Sequence, residues 1–491
     1  MSSDELSASD PADLGIVAAS TLLRSDELSA VELLAACQRR IAERNGGPPS
    51  FDGTPGAVNA WARLYPDLAR DMAVAADARL RRDGQAAPFL CGIPVALKDL
   101  IEVSGLPVTA SSRVLADNVA TRDATVWARL AAAGMVLVGH AHTHEFAAGG
   151  TTDQVANPFA LDRSAGGSSG GSAAALASGM VPAALGTDTA GSLRIPASLS
   201  GICSMKPTHG LVPIAGIIPL APSLDHVGPM ARSMADCGAL LTALAAGGAE
   251  PTPLMPPPPD PGEFPMRASP AVTPLAGVTI ALTDRPETVG VTAEVASALE
   301  GAVAAARTLG ARIVTVPAGP DLSAADFTVI LMTEVAAHHQ RYRGPDGLYR
   351  TSILEFIESS RSFASAESYL HAQQRRARLT AEWEEWFAQH GVDVILEPTT
   401  PTTAPLRGGG YGSGEKAGEG DPLIRLTATW NGTGFPAASL PAGLGSTSNL
   451  PVGISVIGPR GADATVLQIA IDLQEHALGM LPIADPASSL A

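Results

Sequence analysis

The chain has 491 residues, 46% of them hydrophobic, and its formal net charge at pH 7 is −17. This apolar content is sufficient for a large core and excludes an intrinsically disordered chain. The acidic balance argues against nucleic acid or an anionic membrane surface as the main partner, because both select clustered Lys and Arg.

The N-terminal sequence MSSDELSASD is acidic and polar, so it has the pattern of neither a secretory signal nor a transit peptide. No apolar run in the sequence reaches membrane-spanning length. The four cysteines are spaced too widely for a zinc ribbon or a disulfide framework, and we expect them to be buried free thiols. We therefore expect a cytoplasmic protein.

Residues 10–85 are predicted to be mainly helical, because apolar residues recur at spacings of three and four in segments 13–45 and 58–84. Ser29 stands directly before one such run, and Glu32 follows three positions later. This pair predicts a capping box at the start of a helix.

The pattern changes after residue 90, where short apolar runs alternate with helical stretches. The runs lack polar alternation, which is typical of strands covered on both faces. They lie at 93–98, 135–139, 181–186 and 278–282. The alternation predicts an α/β fold with a large mixed, mostly parallel central sheet covered by helices on both faces.

We interpret residues 1–491 as a single domain without internal repeats. The proline-rich stretch 251–274 is predicted to cross the surface in extended form, and the Gly-rich loop 408–420 to be mobile. Residues 322–390 are predicted to form a helix-rich insertion that contributes to a substrate pocket. The segments 392–405 and 450–477 each begin with a predicted strand.

Two Gly/Ser clusters, SAGGSSGGSAAALASGM at 164–180 and GTDTAGSLRIPAS at 186–198, have the composition of flexible linkers but adjoin ordered apolar structure. A serine hydroxyl is a weak nucleophile unless a base takes its proton, and lysine serves as that base in Ser–Lys sites. Lys98 ends the apolar run IPVALK. The non-catalytic alternatives for Lys98 are an ion pair with Asp99 or a surface lysine with a buried stem.

Taken together, GIPVALKD (92–99), GGSSGGSAAA (166–175) and GTDTAGSLRIP (186–196) resemble the amidase signature family in order, spacing and detail. Further matching segments are HEFAAGGTTDQVANP from 144, MKPTHGLVP from 205, DHVGPM from 225 and PVGISVIG from 451. The resemblance extends from about residue 15 to 480. It implies the amidase signature fold and hydrolysis of C–N acyl bonds through an acyl-enzyme.

Carried over by motif position, the resemblance implies a Ser–cis-Ser–Lys triad. Ser192 would be the nucleophile, Ser168 the bridging serine after a cis peptide bond from Gly167, and Lys98 the base. Lys98 must then be uncharged, so its pKa has to fall from about 10.4 toward roughly 7–8.

The same resemblance implies an oxyanion hole and supporting residues around the triad. Backbone N–H groups of Thr189, Ala190 and Gly191 would form the oxyanion hole, although many relatives carry Gly in place of Ala190. Ser169, Asp188 and Arg194 are expected to support the site; alternatives are a turn-stabilising role for Ser169 and a surface ion pair for the other two. No cofactor and no metal are implied.

Histidine and tryptophan patterns offer competing hypotheses. The sequence HAHTH at 140–144 places histidines at alternate positions, which suits metal binding on a strand. We favour a structural role, because Glu145 and Phe146 continue the family pattern. His338 and His339 are interpreted as helix-surface residues, and Trp383 with Trp386 as packing residues.

Three functions stay open at this level. The first is a free-standing amidase acting on a small-molecule amide, carbamate (as a urethanase) or ester. The second is the glutaminase subunit of a tRNA-dependent amidotransferase, although such subunits commonly have Gln where this chain has Ile195. The third is an inactive binding protein, which the intact triad disfavours. The oligomeric state is left open, with a homodimer as one option.

Overall fold

The structure, a computed structural model, describes residues 10–248, 263–320, 323–408 and 421–487. The first part of the proline-rich stretch and nearly all of the Gly-rich loop 408–420 lie outside these residues, so their predicted conformations stay predictions. Within the described residues, an 11-stranded sheet forms the centre of the molecule and a two-stranded sheet lies beside it.

The helices and strands follow one another along the chain in α/β fashion. The helices are α1 (Ile16–Arg24), α2 (Ala30–Arg44), α3 (Pro66–Asp83), α4 (Thr125–Ala132), α5 (Gly170–Ala177), α6 (Arg194–Ser200), α7 (Met234–Ala245), α8 (Ala293–Thr308), α9 (Ala324–His339), α10 (Thr351–Ser360), α11 (Ala366–His390), α12 (Ala428–Gly432) and α13 (Asp463–Leu473). The strands are β1 (Trp61–Leu64), β2 (Pro94–Lys98), β3 (Val136–Ala141), β4 (Ala156–Asn157), β5 (Ala160–Ser164), β6 (Ala183–Asp188), β7 (Cys203–Lys206), β8 (His226–Ala231), β9 (Thr279–Thr283), β10 (Arg312–Val316), β11 (Val394–Pro398), β12 (Ala437–Leu444) and β13 (Pro451–Ile457).

The central sheet has the order β1–β3–β2–β6–β8–β7–β12–β13–β11–β9–β10. Strands β3, β2 and β6 pair in parallel, as do β11, β9 and β10, and the remaining pairs are antiparallel. Every residue of β2, β3, β6, β8 and β13 is buried, so both faces of these strands are covered. The predicted mixed sheet within an α/β fold is confirmed.

The N-terminal region was predicted to be mainly helical, and the structure adds one short strand to it. Trp61–Leu64 forms β1 and pairs antiparallel with β3 at the edge of the sheet. The helix starts only at Pro66, since proline fits the first helical turn and disfavours a helical residue before it. Periodicity does not detect so short a strand ahead of a helix.

Several local predictions are confirmed by the structure. Ser29 caps α2, and its capping box with Glu32 is complete in both directions. The four cysteines are buried and unpaired. In the part of the chain that the structure describes, no helix is both long and apolar enough to cross a membrane.

In the described part of the region 322–390, the helices α10 and α11 each pack against α9. Trp383 and Trp386 are buried in a cluster with Trp430 and Phe435, as predicted for packing residues. The prediction for His339 is wrong, because it is buried, its ring nitrogen lies 2.9 Å from the Tyr349 hydroxyl, and its ring packs edge-on against Phe146. Adjacent histidines on a helix point in different directions, and only one of these two turns fully inward.

Candidate active site

Parallel pairing of β2 and β6 brings the candidate residues to one edge of the sheet. Val95 lies opposite Ala183 and Leu97 opposite Leu185, so Lys98, the last residue of β2, lies beside the end of β6, which carries Thr187 and Asp188. The turn from β6 into α6 carries Ser192, and the turn before α5 carries Ser168 and Ser169. Three chain segments therefore meet where parallel strands end, which is the usual position of a site in such sheets.

Lys98 is fully buried and surrounded by hydroxyl groups. Its Nζ lies 2.8 Å from Ser168 Oγ, 2.9 Å from Ser169 Oγ and 2.8 Å from Thr187 Oγ1. The alternative ion pair with Asp99 is not formed, because Asp99 accepts hydrogen bonds from Thr109 and Ser111 instead. Lys98 is not a surface lysine either, since its exposed fraction is 0%.

Burial lowers the pKa of Lys98 to about 7, although the carboxylates of Asp188 and Asp225 oppose this shift. Near neutral pH a substantial fraction of the side chain is therefore an uncharged amine. Such an amine has a lone pair that accepts a proton from a neighbouring hydroxyl.

Ser168 is held rigidly beside Lys98. The Gly167–Ser168 peptide bond is cis, as the resemblance implies. The Ser168 carbonyl accepts hydrogen bonds from His144 N at 2.9 Å and from the Thr152 hydroxyl at 3.1 Å. A Cβ at position 167 would lie 2.0 Å from the Thr151 carbonyl oxygen, so only glycine fits there.

Of the three candidate serines, Ser192 alone keeps some exposure to solvent. Its exposed fraction is 7%, whereas that of Ser168 and Ser169 is 0%. The Ser192 carbonyl accepts a hydrogen bond from Ser169 N at 3.3 Å, which ties the two serine-bearing turns together. Between these described residues, the Ser168 and Ser192 hydroxyls do not form a hydrogen bond, so the second step of the predicted relay stays a prediction.

Asp188 organises the turn that carries Ser192. Its carboxylate accepts hydrogen bonds from Gly191 N at 2.7 Å, Leu193 N at 3.2 Å and Arg194 Nε at 3.0 Å. Asp188 and Arg194 are both fully buried, so the alternative of a surface ion pair is wrong. Burial alone would raise the pKa of Asp188, but the Arg194 guanidinium lowers it to about 2.

The predicted oxyanion donors differ in their availability. The Gly191 N–H donates to Asp188, which leaves Thr189 and Ala190 as the members of the predicted set not committed to that carboxylate. Gly191 has φ +140°, and a Cβ there would lie 2.3 Å from Thr427 Oγ1. The Ala190 methyl packs on the apolar cluster that contains Trp430. The residue that departs from the family pattern therefore adds to that cluster.

Ser169 does more than stabilise its turn, because its hydroxyl also contacts Lys98. Its hydroxyl donates to the Thr187 carbonyl at 3.2 Å and accepts from Lys98. Ser169 therefore fixes one of the three positions around the amine.

Sequence reasoning did not identify Thr187, Asp225 or Asn431 as parts of the site. Asp225 Oδ1 accepts a 2.6 Å hydrogen bond from the Thr189 hydroxyl, and burial raises its pKa to about 6. Asn431 Nδ2 donates to the Asp188 carboxylate at 2.8 Å. Asp225 stands in the DHVGPM motif, which carried the resemblance but suggested no role.

A small cavity adjoins Thr187 and Thr189. Its other walls are mostly apolar and come from Leu100, Ala147, Ile214, Ile217, Ile218, Leu220, Asp225, His226 and Val227. Ala147 belongs to the segment HEFAAGGTTDQVANP, one of those that carry the resemblance. The segment 214–220 was not expected there, because it has no regular periodicity that would indicate its position.

The HAHTH histidines make structural hydrogen bonds. His140 Nδ1 lies 2.8 Å from the Tyr65 hydroxyl, His142 Nδ1 3.0 Å from the Ser111 hydroxyl, and His144 Nδ1 2.9 Å from the Thr151 carbonyl. Among the residues that the structure describes, no group of three His, Cys, Asp or Glu side chains is arranged to hold a metal ion.

Comparisons with known proteins identify the family of the chain. The family model described as Amidase matches residues 52–467. A glutamyl-tRNA(Gln) amidotransferase subunit from Ralstonia nicotianae is 36% identical over 93% of this chain and 96% of its own length.

Two solved structures are similar over almost the whole chain. The corresponding glutamyl-tRNA(Gln) amidotransferase subunit from Thermotoga maritima has a TM-score of 0.76 at 30% identity, covering 97% of this chain and 98% of its own. The peptide amidase from Stenotrophomonas maltophilia has a TM-score of 0.78 at 26% identity, covering 96% of this chain and 99% of its own.

Proposed function

The chain belongs to the amidase family, and from this premise we propose that it hydrolyses C–N acyl bonds with Ser192 as nucleophile, Ser168 as bridging serine and Lys98 as base. One observation carries the proposal: a buried lysine, with its pKa lowered to about 7, lies 2.8 Å from the hydroxyl of Ser168. Ser192, the serine with access to solvent, stands in the adjoining turn.

The contacts of Lys98 indicate where its lone pair points. An uncharged amine has two N–H donors and one lone pair for its three hydroxyl neighbours. The Ser169 hydroxyl already donates to the Thr187 carbonyl, so it accepts from Lys98. The lone pair then receives the hydrogen of Ser168 or Thr187, and only Ser168 lies in the turn that is tied to Ser192.

The proposed reaction balances its protons through this relay. Lys98 takes the proton of Ser168, Ser168 takes that of Ser192, and Ser192 Oγ attacks the acyl carbon. The C–N bond breaks as the proton returns through the same groups to the departing amine. Water then gives a proton to the relay and its oxygen attacks the acyl carbon; the bond from that carbon to Ser192 Oγ breaks, the proton returns to Oγ, and the acid leaves.

Backbone donors of the Ser192 turn stabilise the negative charge on the carbonyl oxygen in this scheme. Thr189 and Ala190 supply N–H groups, while Gly191 directs its own N–H to Asp188 and so braces the turn. Removing one such donor typically costs about 3–4 kcal/mol of transition-state stabilisation. Ser169, Asp188 and Arg194 act as supports for this geometry.

We propose an uncharged substrate, because the small cavity beside Thr187 and Thr189 is lined mainly by apolar side chains. Amides, aryl amides, carbamates and esters all pass through the same acyl-enzyme, so the triad alone does not choose among them. A free-standing amidase, including a urethanase, is the first candidate function.

The second candidate is the glutaminase subunit of a tRNA-dependent amidotransferase, which the curated relatives favour over the first. Ile195 favours a free-standing enzyme. It is fully buried and packs with Leu199 and Leu423 at the position where such subunits commonly have Gln. An apolar side chain there offers no hydrogen bond to a glutamine substrate.

The test uses purified protein in two assays. The first measures hydrolysis of p-nitroanilide, carbamate and p-nitrophenyl ester probes by the chain alone, with Ser192→Ala as the control. The second measures glutamine hydrolysis with and without the other subunits of a bacterial amidotransferase.

Probe hydrolysis that is lost in Ser192→Ala supports the free-standing enzyme. Glutamine hydrolysis that appears only with the added subunits supports the second candidate. Failure of both assays, together with no labelling of Ser192 by a fluorophosphonate, would contradict both functions and favour an inactive binding protein.

A further inference from the structure

One face of helix α11 is polar and contacts segments that adjoin the candidate active site. Tyr369, Gln373 and Arg376 are spaced four and three residues apart, so they lie on one side of the helix. Arg376 has an exposed fraction of 1%, which is unusual for an arginine. A buried guanidinium is costly unless its donors are satisfied, so its contacts indicate a specific role.

The guanidinium of Arg376 joins two distant segments of the chain. Nη2 donates to the Ser223 carbonyl at 2.7 Å and Nη1 to the Ser223 hydroxyl at 3.1 Å. Nε donates to the Gly432 carbonyl at 2.6 Å. One side chain of the helical insertion thus holds both the segment before β8 and the helix α12.

Ser223 also contacts a second helix of the insertion. Glu334 of α9 accepts a 2.5 Å hydrogen bond from the Ser223 hydroxyl and a 2.9 Å hydrogen bond from its N–H. The Tyr369 hydroxyl donates to the same carboxylate at 2.7 Å. The Arg376 guanidinium of α11 and the Glu334 carboxylate of α9 therefore both form hydrogen bonds with Ser223, which fixes this residue from two sides.

The segment before β8 forms a hydrogen bond with the turn that carries Ser192. Two residues after Ser223, the Asp225 carboxylate accepts the Thr189 hydroxyl at 2.6 Å. The same carboxylate accepts the N–H of Leu220 at 3.0 Å, which closes the turn 220–225. A displacement of Ser223 would therefore move the partner of Thr189.

The second segment contacts the turn 188–192 through Asp188. Asn431, the neighbour of Gly432, donates to the Asp188 carbonyl at 2.9 Å and to its carboxylate at 2.8 Å. Its amide oxygen accepts from Arg194 Nη2 at 2.6 Å. Asp225 and Asn431, which both contact the turn 188–192, therefore lie in segments that Arg376 holds.

We infer that Arg376 is a positioning residue, which couples the helical insertion to the turn 188–192 and holds the Ser192 hydroxyl and the backbone donors in their reactive geometry. The catalytic effect rests on the proposed function. A small displacement of a reacting group is sufficient to lower a rate by about 100-fold. Loss of the Arg376 hydrogen bonds should therefore lower kcat even in molecules that remain folded.

The experiment compares Arg376→Gln with Arg375→Gln, a matched control on the same helix. The Arg375 side chain is 52% exposed and pairs with Asp326 at the surface. The concentration of reactive Ser192 is titrated with a fluorophosphonate, and kcat and KM for a p-nitrophenyl ester are expressed per titrated site. Inactive or unfolded molecules then do not enter kcat.

We expect kcat per titrated site to fall at least about tenfold in Arg376→Gln, with KM within about threefold of the parent, and both constants to stay within about twofold in Arg375→Gln. An unchanged kcat per titrated site in Arg376→Gln would overturn the inference and leave only a structural role.

Should Arg376→Gln fail to fold, Arg376→Lys and Ser223→Ala replace it. Each keeps part of the network, so we expect a smaller loss of kcat per titrated site, and no loss in either would overturn the inference. Parent protein that a fluorophosphonate does not label at Ser192 contradicts the proposed function instead, whatever the state of Arg376.

Discussion

The Lys98 side-chain nitrogen lies 2.8 Å from the hydroxyl oxygen of Ser168, and neither residue is exposed to solvent. The direct side-chain partners of Lys98 are hydroxyl groups, with Asp188 and Asp225 acting on it only through longer-range attraction. Lys98 can therefore lose its proton without leaving a carboxylate partner uncompensated beside it. This relationship leads to the first two predictions.

Acylation of Ser192 should depend on the ionisation of Lys98. Because burial lowers the pKa of Lys98 to about 7, the base form prevails only above that pH. The rate of fluorophosphonate labelling should rise about tenfold per pH unit well below pH 7 and become constant at alkaline pH. In Lys98→Ala the loss should be steeper at neutral than at alkaline pH, where hydroxide partly substitutes. An equal loss at every pH would assign Lys98 a structural role.

Lys98 should also make the stability of the fold depend on pH. Its folded-state pKa of about 7 lies below the ordinary value of 10.5, so between these values the unfolded chain binds more protons. This group therefore raises the free energy of unfolding by up to about 1.4 kcal/mol per pH unit across that window. Lys98→Met lacks this contribution.

The stability of Lys98→Met relative to the parent should consequently decrease from pH 7 to pH 10. Urea unfolding of both proteins at pH 7, 8.5 and 10 measures this difference, and all other titrating groups are common to the pair. A difference that stays constant across the series contradicts the lowered pKa of Lys98.

Replacing Arg194 should destabilise the fold, because Asp188 would keep a buried charge without its guanidinium partner. We expect Arg194→Gln to lower the free energy of unfolding by about 3–5 kcal/mol. Arg82→Gln, which breaks an exposed pair with Asp83, should leave the urea midpoint close to that of the parent. Equal urea midpoints for the two variants would show that the Asp188–Arg194 pair does not hold the turn.

Substitution of Gly191 should remove activity while the protein stays folded. Its φ of +140° disfavours a side chain, and a Cβ would lie 2.3 Å from Thr427 Oγ1. We expect Gly191→Ala to lower kcat by at least about 100-fold. Gly301→Ala is the control, since a Cβ at this helical position meets nothing within 4 Å. Near-parental turnover by Gly191→Ala would contradict the proposed geometry of the turn.

The sequence predicts well those features that are determined by short contiguous segments of the chain. The strands β2, β3 and β6 follow from apolar runs without alternation, and the capping box at Ser29 follows from a spacing of three. Lys98, Ser168 and Ser192 were identified through resemblance to a family, because they lie in three contiguous motifs.

The supporting contacts join residues that are far apart along the chain, and no local pattern specifies them. Arg376 and Ser223 are 153 positions apart, and Asn431 and Asp188 are 243 positions apart. The spacing of Tyr369, Gln373 and Arg376 marks a common face of α11. That spacing indicates neither that the face is buried nor what it meets.

The complete burial of Lys98 has a practical consequence for handling the protein. The sequence contains three lysines, Lys98, Lys206 and Lys416, and the first two have exposed fractions of 0%. Amine-directed reagents, such as succinimidyl esters used to attach proteins to beads or dyes, need an accessible primary amine. Coupling of the folded protein should therefore spare the amine of Lys98, and immobilised preparations should retain the turnover of the free protein.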